Sequence, residues 1–346
     1  MSNDVLGMYG ALERNGHDAR LYAGGQDFVE PKVWHAGELV DFLSDDEDML
    51  IYHYSIGWEP GLELLREVKC RTVIKYHNVT PPHFFEGVSE WHMEKCREGR
   101  KQLREIVRAR CDLYLADSEY NRRELLEEGA DESRSFVVPP FHHIDRLHEM
   151  DADLGVLDEF RDGRTNILMV GRVAPNKGHP DLIEAFAAYH HDYDSNSRLI
   201  VVGKEEDAFK TYSTLLREMI AFYVLEKAGA FVGEVSDAAL KSCYLLSNAF
   251  MFASQHEGFC VPLVEAMAMK VPIVAYASSA IPDTVGDAGL VWNERNPYLL
   301  AESVNSIMSD RMVGGALAEM GRRRYERHFT NPKIEAKFLS AIGKLL

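Results

Sequence analysis

The sequence predicts an α/β protein built from two doubly wound parallel sheets. Three observations carry that prediction. Apolar runs of strand length alternate with segments of helical period along both halves of the chain, the pattern of successive βαβ units. The strand runs are apolar throughout rather than alternating, as expected of parallel strands covered on both faces. The length, 346 residues, suits two domains of ordinary size, each able to bury its own core.

The chain opens with a helix. Asn3 or Asp4 can cap it, Val5, Met8, Tyr9 and Leu12 share one face, and Gly16 lies just past its end. A strand over 19–23 follows, then Gly24-Gly25. Strands are next predicted over 49–54, 71–77, 112–116 and 136–138, with helices over 60–68, 90–110 and 119–128. Ligands of such sheets gather at the carboxyl ends of strands. Two of those ends are chemically rich, His53-Tyr54-Ser55 and His77-Asn78-Val79-Thr80-Pro81-Pro82.

The stretch from Pro139-Pro140 to Arg164 is proline-led and charged, shows no strong strand, and marks a domain boundary. Beyond it the alternation resumes. Strands are expected over 166–170, 199–202, 230–232, 249–253 and 272–275, and helices over 181–190, 207–226, 237–246 and 262–269. From 297 onward the chain reads as helical, with Asn331-Pro332 as cap and first turn of the last helix. The predicted division is 1–145, 146–328 and a closing segment 329–346.

Composition excludes several classes. A net charge of −17 argues against a nucleic-acid binder. Five cysteines without a C-x-x-C pair argue against a disulfide framework or structural zinc, and for a reducing compartment. No apolar run approaches the roughly 18 residues that span a bilayer, and the N-terminus lacks a signal-peptide pattern. The expectation is a cytoplasmic protein.

The most informative stretch is 254–276. Glu257-Gly258 breaks a buried strand, and Pro262 suits a first helical turn because its missing N–H costs nothing there. A helix starting at the carboxyl edge of a sheet offers unpaired N–H groups and a positive dipole end to an anion. The flanking carboxylates of Glu257 and Glu265 suit hydroxyl groups of a sugar or ribose. Taken alone they equally suit a turn cap and a helix-dipole partner. A second cluster, Gly171-Arg172-Val173-Ala174-Pro175-Asn176-Lys177-Gly178, follows the first strand of the second domain. A strand, a Gly-bounded loop and a helix form a phosphate-site arrangement, and Arg172 and Lys177 add two cations. The string is neither a P-loop nor a G-x-G-x-x-G fingerprint, which disfavours a nucleotide-dependent oxidoreductase.

At these residues the chain resembles the family-4 retaining glycosyltransferases of the GT-B fold. Glu257 and Glu265, with seven residues between them, match the E-x7-E motif, and G-R-x-x-x-x-K-G matches the donor-diphosphate motif at Arg172 and Lys177. The resemblance implies two Rossmann-like domains facing across a cleft, with the last helix returning to the N-terminal domain. It implies that Glu257 holds sugar hydroxyls and Glu265 the ribose. The amides of Gly258, Phe259, Cys260, Val261, Pro262 and Leu263 would line the sugar and diphosphate, although Pro262 itself carries no N–H. Loops at Gly203 and Val235 would receive the diphosphate and nucleobase, beside Gly171. His77, with Asn78, matches the family's His-Asn motif and would contact the sugar near the reacting carbon. Two positions depart from the pattern: Cys260 and Lys270 stand where glycine is common. The strand and glycine-rich turn that precede the opening helix in the family are not found in the sequence.

The implied reaction moves a hexose from a nucleoside diphosphate sugar with retention of configuration. Its catalytic residues would be His77, Arg172, Lys177 and Glu257. The expected donor is UDP-glucose, a frequent donor in the family. GDP-mannose-dependent transfer and a non-catalytic nucleotide-sugar-binding protein are the alternatives. The acceptor would be a glycan, a lipid-linked sugar or a small hydroxyl compound. No cofactor and no metal are expected: Asp151-Ala-Asp153 and Asp192-Tyr-Asp194 spell D-x-D but sit in acidic stretches away from strand ends. Arg97, Lys101, Arg104 and Arg108 recur at helical spacing as a basic stripe. The plainer reading of that stripe is a solvated face paired with Glu94, Glu98 and Glu105; the sharper one is peripheral contact with an anionic membrane.

Overall fold

The structure, a computed structural model, describes residues 2–25, 31–43, 46–109 and 111–345. Arg110 and Leu346, the ends of two predicted segments, lie outside the described residues. The chain divides into two compact units: residues 1–79, 95–142 and 331–346, and residues 80–94 with 143–330. Residues 80–94, which the sequence division assigns to the first domain, therefore cluster with the second.

In the first unit, β3 (Met49–Tyr54), β4 (Arg71–Tyr76), β5 (Leu113–Ala116) and β6 (Ser135–Val137) form a four-stranded parallel sheet in the order β3-β4-β5-β6; β1 (Leu21–Ala23) and β2 (Val33–His35) form a separate parallel pair. Val73, Leu113 and Leu115 pack with Met8 and Ala11 of the opening helix Ser2–Arg14 and with Ile334, Phe338 and Ile342 of the last helix, Asn331–Ile342. The closing segment thus belongs to the core of the unit that holds the chain's beginning. Both β1 and β3 are edge strands. A cavity of about 890 Å³ is lined by both of them and by the apolar face Val5, Met8, Tyr9 and Leu12.

In the second unit, β7 (Thr165–Val170), β8 (Ser197–Val202), β9 (Gly229–Gly233), β10 (Ala249–Phe252), β11 (Ile273–Tyr276) and β12 (Gly289–Trp292) form one parallel sheet in the order β12-β11-β10-β7-β8-β9. The strand order reverses direction beside β7 and β10, so the crevice at their carboxyl ends is the topological switch point. Every residue of β8, β10 and β11 is buried, which accounts for their unbroken apolar sequences. The boundary stretch holds two short helices, Ile144–Glu149 and Leu154–Phe160.

Candidate active site

The two loops after β7 and β10 lock together through backbone that only glycine permits. Gly178 has φ +67°, and a Cβ there would lie 1.9 Å from the Ala253 carbonyl oxygen. Gln255 N–H donates to the Asn176 carbonyl at 2.9 Å, and the Asn176 side-chain amide donates to the His256 carbonyl at 3.1 Å. Likewise Gly203, after β8, sits so close to Gly171 that a Cβ would meet the Gly171 carbonyl oxygen at 1.9 Å. These contacts fix where Lys177 and Glu257 emerge.

The structure brings those two side chains together. Lys177 Nζ lies 2.7 and 2.9 Å from the two Glu257 carboxylate oxygens, in a largely buried setting. Ser254 Oγ donates to Glu257 Oε1 at 2.7 Å, and Ser279 Oγ accepts from the Glu257 N–H at 2.6 Å. Three residues on three loops thus hold Glu257 in place, Lys177 and Ser254 through its carboxylate and Ser279 through its backbone N–H. Arg172 is directed elsewhere, pairing with Glu206 at 2.9 Å while more than half exposed. Val235 is half-buried, two residues beyond the end of β9.

Helix Val261–Ala268 begins directly after the Glu257-Gly258-Phe259-Cys260 loop, with Pro262 in its first turn as predicted. Cys260, the residue before the helix, has φ +73°, and Lys270, just past its end, has φ +59°. Both departures from the family's glycine pattern therefore stand in left-handed backbone. Glu265 is buried within the helix. Tyr244 donates its hydroxyl to Glu265 Oε2 at 2.7 Å, and His143 Nε2 lies 3.4 Å from Oε1. Burial raises the Glu265 carboxyl above its usual range, against the opposing effects of Tyr244 and His143.

In the first unit, His77 follows β4 within a buried ionic cluster. Its Nδ1 lies 2.9 Å from Asp117 Oδ2, and its Nε2 lies 2.9 Å from His53 Nδ1. Lys75, fully buried, lies 2.6 Å from Asp117 Oδ1 and 3.6 Å from Asp4 Oδ2, and donates to the Val138 carbonyl. Burial alone would push the Asp117 carboxyl up, but the His77 and Lys75 charges outweigh it and hold the group well below the usual carboxylate range. Asp4 is raised, chiefly by burial. Burial, followed by the neighbouring His77 and Lys75, lowers the His53 imidazole well below its usual range. Asp4, His53 and His77 offer ligand atoms within 4.8 Å of one another, yet the Lys75 ammonium already supplies the cation beside Asp4. Asn78, at φ +78°, is buried and donates to Asn121 and Glu124 at 2.9 and 2.6 Å.

Sequence reasoning missed Asp4, Lys75, Asp117, Tyr244, Ser254 and Ser279 as supports. Asp117 alone had a local signal, since it immediately follows the apolar strand β5. The D-x-D strings have structural uses: Asp153 caps helix Leu154–Phe160 by accepting from Val156 N–H, and Asp194 accepts from Thr165 at 2.6 Å.

Residues 158–327 match the glycosyl transferases group 1 family. The matched stretch spans most of the second unit, including the Lys177–Glu257 pair and Glu265. Among similar proteins is the mannosylfructose-phosphate synthase of Agrobacterium fabrum, 24% identical over 93% of this chain and 76% of its own length. Another is a GDP-mannose-dependent alpha-mannosyltransferase of Mycolicibacterium smegmatis, 32% identical over 47% of this chain and 37% of its own. The chain thus spans well under half of the second relative. Among solved structures, Anabaena Alr3699/HepE in complex with UDP and glucose superposes with a TM-score of 0.73 at 17% identity, covering 96% of this chain and 88% of that one. The fold is GT-B, with two Rossmann-like α/β units. Among the described residues no helix is long and apolar enough to cross a membrane.

Proposed function

We propose that the chain is a retaining hexosyltransferase that uses a nucleoside diphosphate sugar, with UDP-glucose as donor. The observation that carries this reading is the Lys177–Glu257 pair at the switch point of a group 1 domain, next to the start of helix Val261–Ala268. A paired carboxylate and ammonium are neutral together. A bound diphosphate sugar can separate them, with Lys177 and Arg172 turning to the phosphates and Glu257 accepting sugar hydroxyls. The helix start adds a fixed positive end where charge develops on the leaving group. Glu265 would accept from the ribose hydroxyls, and Gly171, Gly203 and Val235 would border the diphosphate and base. His77, oriented by Asp117, would donate toward the transferring sugar. Family resemblance favours front-face attack, with the departing phosphate taking the acceptor proton and no metal required. A glycan or lipid-linked sugar is the acceptor class we favour.

The relative named for GDP-mannose supports a second reading, transfer of mannose from GDP-mannose. One thermal-shift plate separates them, because a ligand stabilises by RT ln(1 + [L]/Kd). UDP and UDP-glucose should raise Tm above the GDP and ADP equivalents. Stabilisation by GDP-mannose alone would replace the base, and no response to any nucleotide sugar would remove the transferase reading. Lys177→Ala should lower kcat by on the order of 10²-fold, as for loss of other charge-stabilising donors. Activity should survive EDTA.

A further inference from the structure

The ionic cluster around His77 is assembled by strand pairing. Side chains alternate between the two faces of a sheet, so His53 of β3, its register partner Lys75 of β4 and Leu115 of β5 share one face. The backbone ladder continues just past the strands, His77 N–H to the Tyr54 carbonyl and Asp117 N–H to the Tyr76 carbonyl. His77 and Asp117, two residues beyond Lys75 and Leu115, therefore join the same face. The opening helix packs there and adds Asp4.

The hydrogen bonds of the cluster use up His77. Its Nδ1 donates to Asp117 Oδ2 at 2.9 Å, since an ionised carboxylate can only accept. Its Nε2 meets His53 Nδ1 at 2.9 Å. The two rings are inclined by only 17° with centroids 5.1 Å apart, so they meet edge to edge. Both nitrogens then lie between the ring centres, near the plane in which lone pairs and N–H bonds point. A single proton fills that contact, whichever ring supplies it. His77 has no nitrogen left for a ligand, whereas His53 has one. Its Nε2 has no hydrogen-bond partner among the described residues. Unlike the sealed Nε2 of His179, it is open: the side chain is 13% exposed and borders the cavity of about 890 Å³ beside Gly24, Gly25 and Ser55.

The shared proton also selects the ligand atom. If His77 supplies it, His53 Nε2 is an N–H donor; if His53 supplies it, Nε2 is an acceptor. A hydroxyl donates and accepts, so it pairs with Nε2 in either state, while a phosphate or carbonyl oxygen pairs in only one. An anion would also find no free charge, because the Lys75 ammonium is sealed and engaged by Asp117 and the Val138 carbonyl. We propose that His53 is the residue of this cluster that touches substrate, through a hydrogen bond between Nε2 and a sugar hydroxyl, and that His77 is a positioning residue acting through it. Asp117 and Lys75 hold His77, and His77 holds the plane of the His53 ring. The contact expected of His77 is then made by His53, so that the hydroxyl belongs to a sugar rests on the transferase reading above.

Two measurements on the full chain test this. The first is carbethoxylation by diethyl pyrocarbonate at neutral pH, with initial rates mapped to each histidine by mass spectrometry. His77 reacts only when one of its two hydrogen bonds opens, so His53 should react roughly 10-fold faster or more, and UDP-glucose should slow it. The second is UDP release from UDP-glucose by three variants and a double variant. His53→Asn keeps a group for His77 and loses only the free nitrogen, and should lower kcat by roughly 10-fold with KM little changed. His53→Gln, which places an amide where Nε2 stood, should recover part of that loss. His77→Asn keeps a donor for Asp117 and should lower kcat less than His53→Asn does. His53→Asn with His77→Asn should be no worse than His53→Asn alone, because the two act as one unit. The inference falls if His77 is modified as fast as His53, or if UDP-glucose stabilises the chain without slowing the reaction of His53. It falls equally if His53→Asn turns over like wild type while His77→Asn does not. If His53 reacts first but no nucleotide sugar binds, His53 stands as the contact residue of the cluster and the donor reading fails.

Discussion

At the scale of single residues, the left-handed backbone around helix Val261–Ala268 has measurable consequences. A non-glycine residue in that region costs roughly 1–2 kcal/mol, and Lys270 sits where helices most often end on glycine. Its side chain makes one exposed ion pair, with Glu319 at 3.3 Å, and such pairs are worth about 0–1 kcal/mol. Strain relief outweighs that pair, even after the extra freedom glycine gives the unfolded chain. Lys270→Gly should therefore raise the urea midpoint, by about 0.5–1 kcal/mol in stability; a fall would show that Glu319 matters more than the strain. Cys260→Gly should gain less, because it also empties a buried position. Tyr244→Phe acts on the site as well as on the fold. It removes the 2.7 Å hydrogen bond that aims the Glu265 carboxylate. A bond to a charged group is worth about 1.5–3 kcal/mol. Under the proposed function, KM for the donor should rise roughly 10-fold while kcat changes little, and an equal loss in both would relocate Glu265 to the chemical step.

At the scale of elements, the sequence was readable where apolar runs were long and unreadable where segments were short. The strands at the centre of each sheet, such as β7, β8 and β10, fall within a residue or two of their predicted bounds, because a buried parallel strand must be apolar along its whole length. Val33–His35 and Gly289–Trp292 were missed. Each is an edge strand of three or four residues, too short to show a period. Helices Ile144–Glu149 and Leu154–Phe160 escaped for the same reason. In the site, Lys177 and Glu257 could be picked out from their motifs. The supports of Glu265 and His77 could not, since the Tyr244–Glu265 and His77–Asp117 pairings join separate elements by folding alone. Helix His179–Asp192 hides a further such feature. His179 is fully buried, its Nε2 has no hydrogen-bond partner among the described residues, and burial followed by the Lys177 charge lowers it to about 3. The unfolded chain binds a proton here near pH 6.5 and the folded chain does not. Stability from this group is thus complete above that pH and declines as pH falls toward 3, by at most about 1.4 kcal/mol per pH unit. Urea midpoints at pH 7 and pH 5 should converge in His179→Gln relative to wild type; an unchanged difference would show that other groups, His53 among them, set the slope.

At the scale of the molecule, electrostatics oppose one another. The net charge of −17 repels an anionic surface, yet Arg97, Lys101, Arg104 and Arg108 are all exposed along helix Glu90–Arg108. Salt screens exposed charges beyond roughly 10 Å, so only the stripe acts at contact while the bulk charge acts weakly from further away. Each basic residue near anionic lipid contributes about 1 kcal/mol. Arg104 already pairs with Glu128 at 2.8 Å, so four residues set an upper limit of about 4 kcal/mol, which corresponds to a Kd on the order of 1 mM in accessible lipid. Docking of that strength would be reversible and useful only for bringing a lipid-linked acceptor close. We expect the chain to sediment with phosphatidylserine vesicles at low ionic strength and to be released as salt is raised. Arg97→Glu, Lys101→Glu and Arg108→Glu together should abolish that binding without lowering Tm, because these side chains lie on the solvent face. Phosphatidylcholine vesicles should capture neither protein. If the wild type stays in solution at low salt, or the triple variant sediments equally well, the stripe is a solvated helix face and the acceptor must reach the site without help from the membrane.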